Sequence, residues 1–375
     1  MRIADLPTPS LLLDRRRLAA NLTAMRGRTV AAGVRLRPHL KTAKSAAVAR
    51  LALGAAAGPI AVSTLAEAEY FAGHGFTDIT LAVGIVPGKL DRAAALLGRG
   101  VRLGLLTDDP STARAIAARG QALGVTFPVH VEIDSGGSRA GLPPGDPTLV
   151  EVARILARGP GSSHAGVLTH AGQSYRRRGA TAHAEVAATE RDSVVAAATL
   201  LRAAGLPCPV VNAGSTPTAT FGRDWSGVDE LRLGLYMFMD LDQHALGVCG
   251  VDDIALSVLA SVIGHNRRAA HLLLDAGAIA LSKDLSADEF RPGTGYSLVC
   301  DAAGGAPLPG LAVASVAQEH GIVPLADPAL FDRLPVGARV RVLPVHACLT
   351  AAAWDHYVVV EAGEPVDRWD RCAGW

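Results

Sequence analysis

The stretch Arg37-Pro38-His39-Leu40-Lys41-Thr42-Ala43-Lys44 decides how this chain is read. It follows Val34-Arg35-Leu36, a short run that reads as a β-strand. Pro38 restricts Arg37 to extended conformations and keeps a helix from forming ahead of it. The next residues, Ser45-Ala-Ala-Val-Ala-Arg-Leu-Ala-Leu, read as an amphipathic helix with Ser45 at its N-cap. Lys41 therefore falls in the turn between the C-terminal end of a strand and a helix, where α/β folds keep their chemistry. A solvated loop lysine is the plain alternative.

Outward from this turn, the pattern alternates from about Ser10 to about Asp240. Apolar runs at Ile60–Ser63, Ile79–Val83, Val101–Leu105, Val129–Ile133, Gly166–Thr169, Val210–Asn212 and Glu230–Leu233 are separated by alanine-rich helical segments such as Ala113–Ala122 and Val186–Ala204. Apolar strands between helices predict a parallel sheet buried on both faces. With the strand before Lys41, the runs suffice for a closed eight-stranded barrel, and an open doubly wound sheet fits the pattern as well. After about Gly247 the texture changes. Ile254–Ile263, Ala269–Leu274, Leu311–Val316, Arg339–Leu343 and Tyr357–Glu361 read as strands with few helices between them, which predicts a second, mostly β domain.

A chain of 375 residues has room for one large domain and a smaller one. Its 36 Lys+Arg against 35 Asp+Glu leave a net charge of +1, so no electrostatic case exists for nucleic acid. No apolar stretch is long enough to span a membrane, and Met-Arg-Ile-Ala-Asp-Leu-Pro lacks the apolar core of a signal peptide. The 5 cysteines, scattered and odd in number, point to a reducing compartment. These features predict a soluble cytoplasmic protein. There is no Walker loop, no Gly-x-Ser-x-Gly elbow and no His-Glu-x-x-His.

Thr8-Pro9-Ser10-Leu-Leu-Leu-Asp14 lies upstream of the lysine turn, and Val62-Ser63-Thr64-Leu65-Ala66-Glu67-Ala68-Glu69 lies downstream. Together with the Arg-Pro-His-x-Lys-Thr run, they resemble the D-serine dehydratase and D-threonine aldolase group of the alanine-racemase-like (fold-type III) pyridoxal-phosphate enzymes. The resemblance extends over nearly the whole chain. It implies a (β/α)8 barrel over residues 8–245 and a mostly β domain over 246–375, joined by residues 1–7. It implies that Lys41 holds pyridoxal 5'-phosphate as a Schiff base, and it places Thr64 among the cofactor-binding residues. It also implies a head-to-tail homodimer in which the β domain of one chain closes the other chain's site.

Further runs carry the remaining roles. In Asn212-Ala-Gly214-Ser215-Thr216-Pro217-Thr218, small residues after a strand let backbone N–H groups approach an anion, and hydroxyls add donors. Such a run alone is usually only a turn; its likeness to the family's Gly-Ser-Thr-Pro loop assigns Gly214, Ser215 and Thr216 to the phosphate. Val131-Glu-Ile-Asp134-Ser-Gly-Gly-Ser-Arg139-Ala-Gly141 resembles a family segment whose arginine lies near the cofactor's phenolic oxygen, where a fixed cation keeps that oxygen ionised. Thr169-His170-Ala-Gly172-Gln173-Ser174-Tyr175 resembles the Gly-His-x-Tyr segment and implies His170 and Tyr175 near the cofactor. Arg232, in Arg232-Leu-Gly-Leu-Tyr236, resembles the racemase arginine that faces the pyridine nitrogen.

Pro344-Val345-His346-Ala347-Cys348-Leu-Thr350 has a spacing of its own. On an extended segment His-x-Cys points both side chains to one face. Imidazole plus thiolate suits zinc, and only two protein ligands leave positions open for water or substrate. Alone the pair is thin evidence, since structural zinc sites show four ligands. It resembles the family's Pro-Asn-His-x-Cys-x-Thr metal site, which implies a divalent metal, zinc or manganese, on His346 and Cys348. Gln318-Glu319-His320-Gly321 resembles the accompanying Glu-His-Gly segment, with His320 beside that metal. Two residues depart from the family: Ala43 and Gln173 stand where histidines are common.

The resemblance implies a lyase acting on a D-configured 3-hydroxy amino acid. β-Elimination gives a 2-oxo acid and ammonia. Retro-aldol cleavage to glycine and an aldehyde is the alternative, and the His-x-Cys pair favours elimination. An amino-acid racemase, which needs a second base not identified in the sequence, and a non-catalytic cofactor carrier, a role whose proteins of this fold lack the β domain, are further alternatives.

Overall fold

An apolar strand, β1 (Ser10–Asp14), opens the chain and leads into the helix α1 (Arg15–Ala31). Then come β2 (Arg35–Pro38), α2 (Ala46–Leu53), β3 (Ile60–Val62), α3 (Leu65–Gly73), β4 (Asp78–Leu81), α4 (Leu90–Gly98), β5 (Arg102–Thr107) and α5 (Pro110–Leu123). The alternation continues through β6 (Phe127–Ile133), α6 (Pro147–Arg158), β7 (Ser162–Thr169), α7 (Gly179–Ala203), β8 (Val210–Ala213), α8 (Thr216–Phe221) and β9 (Glu230–Leu233). The computed structural model describes residues 2–54 and 58–375. They divide into two compact units: Met25–Gly234 with Gly374–Trp375, and the residues up to Ala24 with Leu235–Ala373.

In the first unit, eight strands form one parallel sheet in the order β2-β9-β8-β7-β6-β5-β4-β3. The sheet closes on itself. His39, just past β2, forms a parallel bridge with Ala61 of β3, and the Leu40 N–H donates to the Ala61 carbonyl at 2.8 Å. The closed barrel, not the open sheet, is the fold. Every residue of β3 and β9 is buried, as expected of strands covered on both faces. Local chemistry sets the helix starts. Asp109 caps α5 through the Thr112 N–H with Pro110 in the first turn, and Asp146 caps α6 in the same way. Ser45 does occupy the N-cap of α2, but its hydroxyl makes no cap bond; the Ala46 N–H donates instead to the Tyr70 hydroxyl at 3.3 Å.

The N-terminal mouth of the barrel is braced by paired charges. Arg37 donates to both oxygens of Glu230, at 2.7 and 3.0 Å, and to Asp78 at 3.0 Å. It also donates to the Ile60 carbonyl at 3.1 Å. Arg35 sits 3.3 Å from Glu230, and Arg102 pairs with Asp78.

The second unit adds α9 (Leu241–Ala245), β10 (Leu256–Asn266), β11 (His271–Leu274), α10 (Ala278–Leu281), β12 (Ser297–Asp301), β13 (Pro307–Ala312), β14 (Ser315–Val316) and β15 (Gly321–Pro324). It ends with α11 (Leu330–Arg333), β16 (Arg339–Pro344), α12 (Ala347–Ala351), β17 (His356–Glu361) and β18 (Glu364–Asp370). The main path of its sheet is β13-β12-β16-β10-β1-β17-β18. β1 runs antiparallel to β10 and parallel to β17. Although its run lies within the segment that the alternating pattern assigns to the barrel, the strand belongs to this sheet. An apolar run reveals burial, not which partner provides it. Ile3 and Leu6 pack with Leu12, Leu259 and Val360 in the same unit.

Candidate active site

Lys41 lies past β2, at the C-terminal end of the barrel strands. With His39, Glu132, Arg139, His170 and Arg232 it lines a cavity of about 300 Å³, within the range of small-ligand sites. The other lysine of the run is differently employed. Lys44 Nζ is 3.2 Å from Glu67, whose side chain is 1% exposed and also accepts the Ser63 N–H at 2.8 Å. One lysine is bound to a buried carboxylate and the other faces the cavity.

Two residues that line the cavity carry buried polar atoms that the protein does not satisfy. His39 is 3% and Arg232 5% exposed, and neither His39 Nδ1 nor Arg232 Nε has a hydrogen-bond partner. Arg232 does donate through Nη2 to the Thr169 carbonyl at 2.9 Å. Burial, and then the charges of Lys41 and Arg232, push the His39 imidazole well below its ordinary value. Burial followed by the same two cations lowers His170 to about 3. Burial also brings Arg232 down to about 10, against the pull of Glu190 and Glu132. Both imidazoles are therefore neutral near pH 7. Unpaired buried donors and acceptors are rare in native folds. A planar, polar, anionic group fits a cavity lined by Lys41, Arg139 and Arg232, and the residues with spare hydrogen-bonding capacity lie around it.

Three loops shape the cavity. After β6, Asp134 Oδ1 accepts the N–H groups of Gly136, Gly137 and Ser138 at 2.8, 2.9 and 3.1 Å. Gly141 closes this loop with φ +99°, and a Cβ there would lie 2.6 Å from the Asp134 nitrogen, so only glycine fits. The loop presents Arg139, whose side chain is 65% exposed and 3.9 Å from Glu132. After β7, His170 Nδ1 is 3.2 Å from the Gly214 carbonyl, and Gln173 Nε2 donates to the Ser135 carbonyl at 2.7 Å. After β8, Gly214 has φ +119° and packs against Arg232 and Leu233.

A buried acid joins the last two loops. Glu190 of α7 is fully buried; its Oε1 accepts the N–H groups of Ala171 and Gly214 at 2.8 and 3.0 Å, and its Oε2 accepts the Thr218 hydroxyl at 2.7 Å. The Ser215 N–H donates to Thr218 Oγ1 at 3.0 Å. The two backbone donors first in line for a phosphate, those of Gly214 and Ser215, are thus engaged within the protein. Thr216 opens α8 and is 1% exposed. Thr64 caps α3 by accepting the Glu67 N–H at 3.1 Å, and it lines an adjoining hollow of about 460 Å³ that shares Ser63, Val83 and Gly84 with the Lys41 cavity. The Tyr175 ring lies 6.3 Å from that of His170.

His346 and Cys348 belong to the other unit. They are not on one extended segment, as strand alternation would have it. β16 ends at Pro344, His346 is the N-cap of α12, and Cys348 lies in its first turn. Asp240 Oδ2 accepts the Ala347 N–H at 2.9 Å, which turns the chain into the helix. Asp284 Oδ2 is 3.1 Å from His346 Nδ1. Burial alone would depress His346, but the hydrogen bonds to Asp284 and Cys348 and the charge of Asp240 lift it to about 11. Surroundings that favour a proton here favour any cation. Among the described residues no group of three or more His, Cys, Asp or Glu side chains could hold a metal ion, so the pair leaves most of a metal's positions to other ligands. An imidazole kept by Asp284 on Nδ1 would offer Nε2, the orientation that metal-ligating histidines take. His320 sits exposed on the turn before β15.

Residues 13–242 match the family model for the alanine racemase N-terminal domain, and residues 255–360 match the putative serine dehydratase domain. A D-threo-3-hydroxyaspartate dehydratase of Delftia sp. is 44% identical over 100% of this chain and 99% of its own length. This chain belongs to the alanine-racemase-like dehydratase and aldolase family. The family includes a D-threonine aldolase of Arthrobacter sp., 31% identical over 99% of this chain and 93% of the relative, and a D-serine dehydratase of Dictyostelium discoideum, 27% identical over 96% and 94%. The solved Delftia dehydratase superposes with a TM-score of 0.97 at 44% identity over 100% of both chains. That kind of dehydratase has also been solved with a histidine or a cysteine replaced by alanine, the cysteine variant in a metal-free form. The two replaced positions are two residues apart, as His346 and Cys348 are.

Within this family frame, sequence reading missed Glu132, Glu190, Asp240 and Asp284. Glu190 did leave a trace: it falls on the buried stripe of α7 with Val186, Ala187, Val194 and Ala197, an acid among apolar neighbours at helical spacing. Asp284 left none, being one acid among several in Lys283–Glu289.

Proposed function

We propose that this chain is a pyridoxal-phosphate- and divalent-metal-dependent lyase that eliminates water from D-3-hydroxy amino acids, giving a 2-oxo acid and ammonia. The observation that carries the reading is the Lys41 cavity, which Lys41 lines together with His39 and Arg232, each holding a buried polar atom without a hydrogen-bond partner, His39 Nδ1 and Arg232 Nε. In this proposal Lys41 Nζ would hold the cofactor, and its amine, when free, would be placed to take the substrate's α-proton. Arg232 would face the pyridine nitrogen and Arg139 the phenolic oxygen. His170, Tyr175 and Thr64 line the cofactor, with Gly214, Ser215 and Thr216 toward the phosphate. The cofactor, when bound, stores the electrons left on the α-carbon. His346 and Cys348 would hold zinc or manganese, with His320 nearby, and the ion would supply the Lewis acidity that makes a 3-hydroxyl a better leaving group.

The Delftia relative supports a substrate of the D-3-hydroxyaspartate class. Cleavage to glycine and an aldehyde is the second reading, supported by the Arthrobacter aldolase. Ala43 is fully buried, and Gln173 ties the β7 loop to the β6 loop, so both departures from the common histidines have structural places here. A homodimer in which the β domain of one copy closes the other's site belongs to the same proposal. So does a cytoplasmic location, which five cysteines that form no disulfide with one another support; among the described residues no helix is long and apolar enough to cross a membrane.

The test offers D-serine, D-threonine and D-threo-3-hydroxyaspartate with zinc or manganese and measures 2-oxo acid against glycine. Elimination predicts 2-oxo acid and ammonia, lost on chelation and in His346→Ala and Cys348→Ala. Glycine as the main product makes the protein an aldolase, and undiminished activity after chelation removes the metal from the reaction.

A further inference from the structure

We propose that Glu190 is a positioning residue that fixes His170 with its proton on Nδ1 and its Nε2 lone pair facing the Lys41 cavity. The argument starts from hydrogen-bond chemistry. A backbone carbonyl only accepts, so the 3.2 Å contact between His170 Nδ1 and the Gly214 carbonyl requires a proton on Nδ1. A neutral ring then carries its lone pair on Nε2, and His170 lines the cavity with Lys41 and Arg232. That nitrogen is an acceptor among cations, available to an N–H or O–H of whatever binds there.

Glu190 holds both ends of the contact. One of its oxygens accepts the N–H of Ala171, the residue next to His170, and the N–H of Gly214, whose carbonyl His170 uses. Its other oxygen anchors Thr218, which in turn accepts the Ser215 N–H. Remove the carboxylate and two buried backbone donors lose their acceptor. The loops after β7 and β8 then lose their shared fixed point, and with it the distance from Nδ1 to the carbonyl. A brace that only stabilised the fold would not care which nitrogen of His170 carries the proton; this one sets it.

Nitrogen-15 spectra of histidine-labelled full-length protein read the tautomer directly, without cofactor. The wild type should show Nδ1 protonated and Nε2 bare. Glu190→Gln keeps an oxygen able to accept both amides and should preserve that state, whereas Glu190→Ala should shift protons onto Nε2. A second readout, resting on the cofactor reading of the cavity, is pyridoxal-phosphate affinity. It should weaken at least about tenfold in Glu190→Ala, the scale on which orienting partners of functional histidines act, and recover in Glu190→Gln. A His170 protonated on Nε2 in the wild type overturns the proposal, as does an unchanged tautomer in Glu190→Ala. Should the alanine variant fail to fold, the wild type and Glu190→Gln decide: an Nε2 proton in either one sinks it. Failure to bind the cofactor, with the tautomers as stated, counts against the cofactor reading alone.

Discussion

The two mouths of the barrel handle buried charge in opposite ways. At the N-terminal mouth Arg37 spends its guanidinium on Glu230, Asp78 and a carbonyl, and the neighbouring arginines pair with the same two acids. At the C-terminal mouth Arg232 keeps one nitrogen without a partner, His39 does the same, and Lys41 faces a hollow. A guanidinium saturated by carboxylates holds the fold together. An unsaturated one costs stability that a bound ligand can return. In a parallel barrel with active sites at the C-terminal face, this is the division of labour expected.

Lys41→Ala strikes the unsaturated mouth hardest. The purified variant should be colourless, should fail to load pyridoxal phosphate, and should show no turnover above background, while its melting temperature stays near that of unloaded wild type. A yellow Lys41→Ala protein, or borohydride fixation to Lys44, breaks the comparison at its centre.

Glu230→Ala should show the reverse. It strands Arg37 with a buried charge, and breaking such a pair costs about 3–5 kcal/mol; denaturant unfolding should show the loss, with cofactor affinity nearly kept. Acid acts on the same network. Burial alone would raise Glu230 and Asp78, but Arg37 holds both below the ordinary carboxylate range. The unfolded chain therefore binds more protons than the fold as pH drops through the ordinary carboxylate range. The stabilisation is complete above that range and is lost as pH falls through the lower folded values. Glu230→Gln should flatten that acid limb.

Arg232→Met sharpens the contrast with a smaller effect. Replacing a poorly paired buried cation by an apolar chain is often neutral or stabilising, so the unloaded protein should melt no lower than wild type, while cofactor affinity falls about tenfold, or about 1.4 kcal/mol. A large drop in unloaded stability would make Arg232 a structural residue like Arg37. Lys44→Met is the mildest. It takes the partner from Glu67, which keeps its backbone donor, so about 1–2 kcal/mol of stability should go and the yellow colour should stay.

The barrel strands were legible because parallel strands buried on both faces are written as unbroken apolar runs. Lys41, Arg139, His170 and Arg232, chosen on residues scattered over the sequence, do meet at one cavity. What sequence hid was pairing at a distance. Arg37 stands in the deciding stretch, yet its role depends on acids 193 and 41 residues away. β1 could not be told from a barrel strand, since its partners are β10 and β17. Ser45 had the right residue type for a cap, but a tyrosine hydroxyl from α3 took its place. For Gly214-Ser215-Thr216 the position after β8 was readable, whereas the capture of its amides by Glu190 and Thr218 required the fold.

The closure of the barrel has a further meaning. Among the described residues β2 is joined to β9 by a four-residue ladder, but to β3 by the single bridge from His39 to Ala61. Across that seam a side chain, Arg37, adds the bond to Ile60 that a longer ladder would have made from backbone. The strand that carries Lys41 is thus the last stave in the cask, held on one edge by a clasp whose grip depends on two carboxylates staying ionised. Acid that neutralises them should weaken this seam at the N-terminal mouth, on the strand that leads to Lys41.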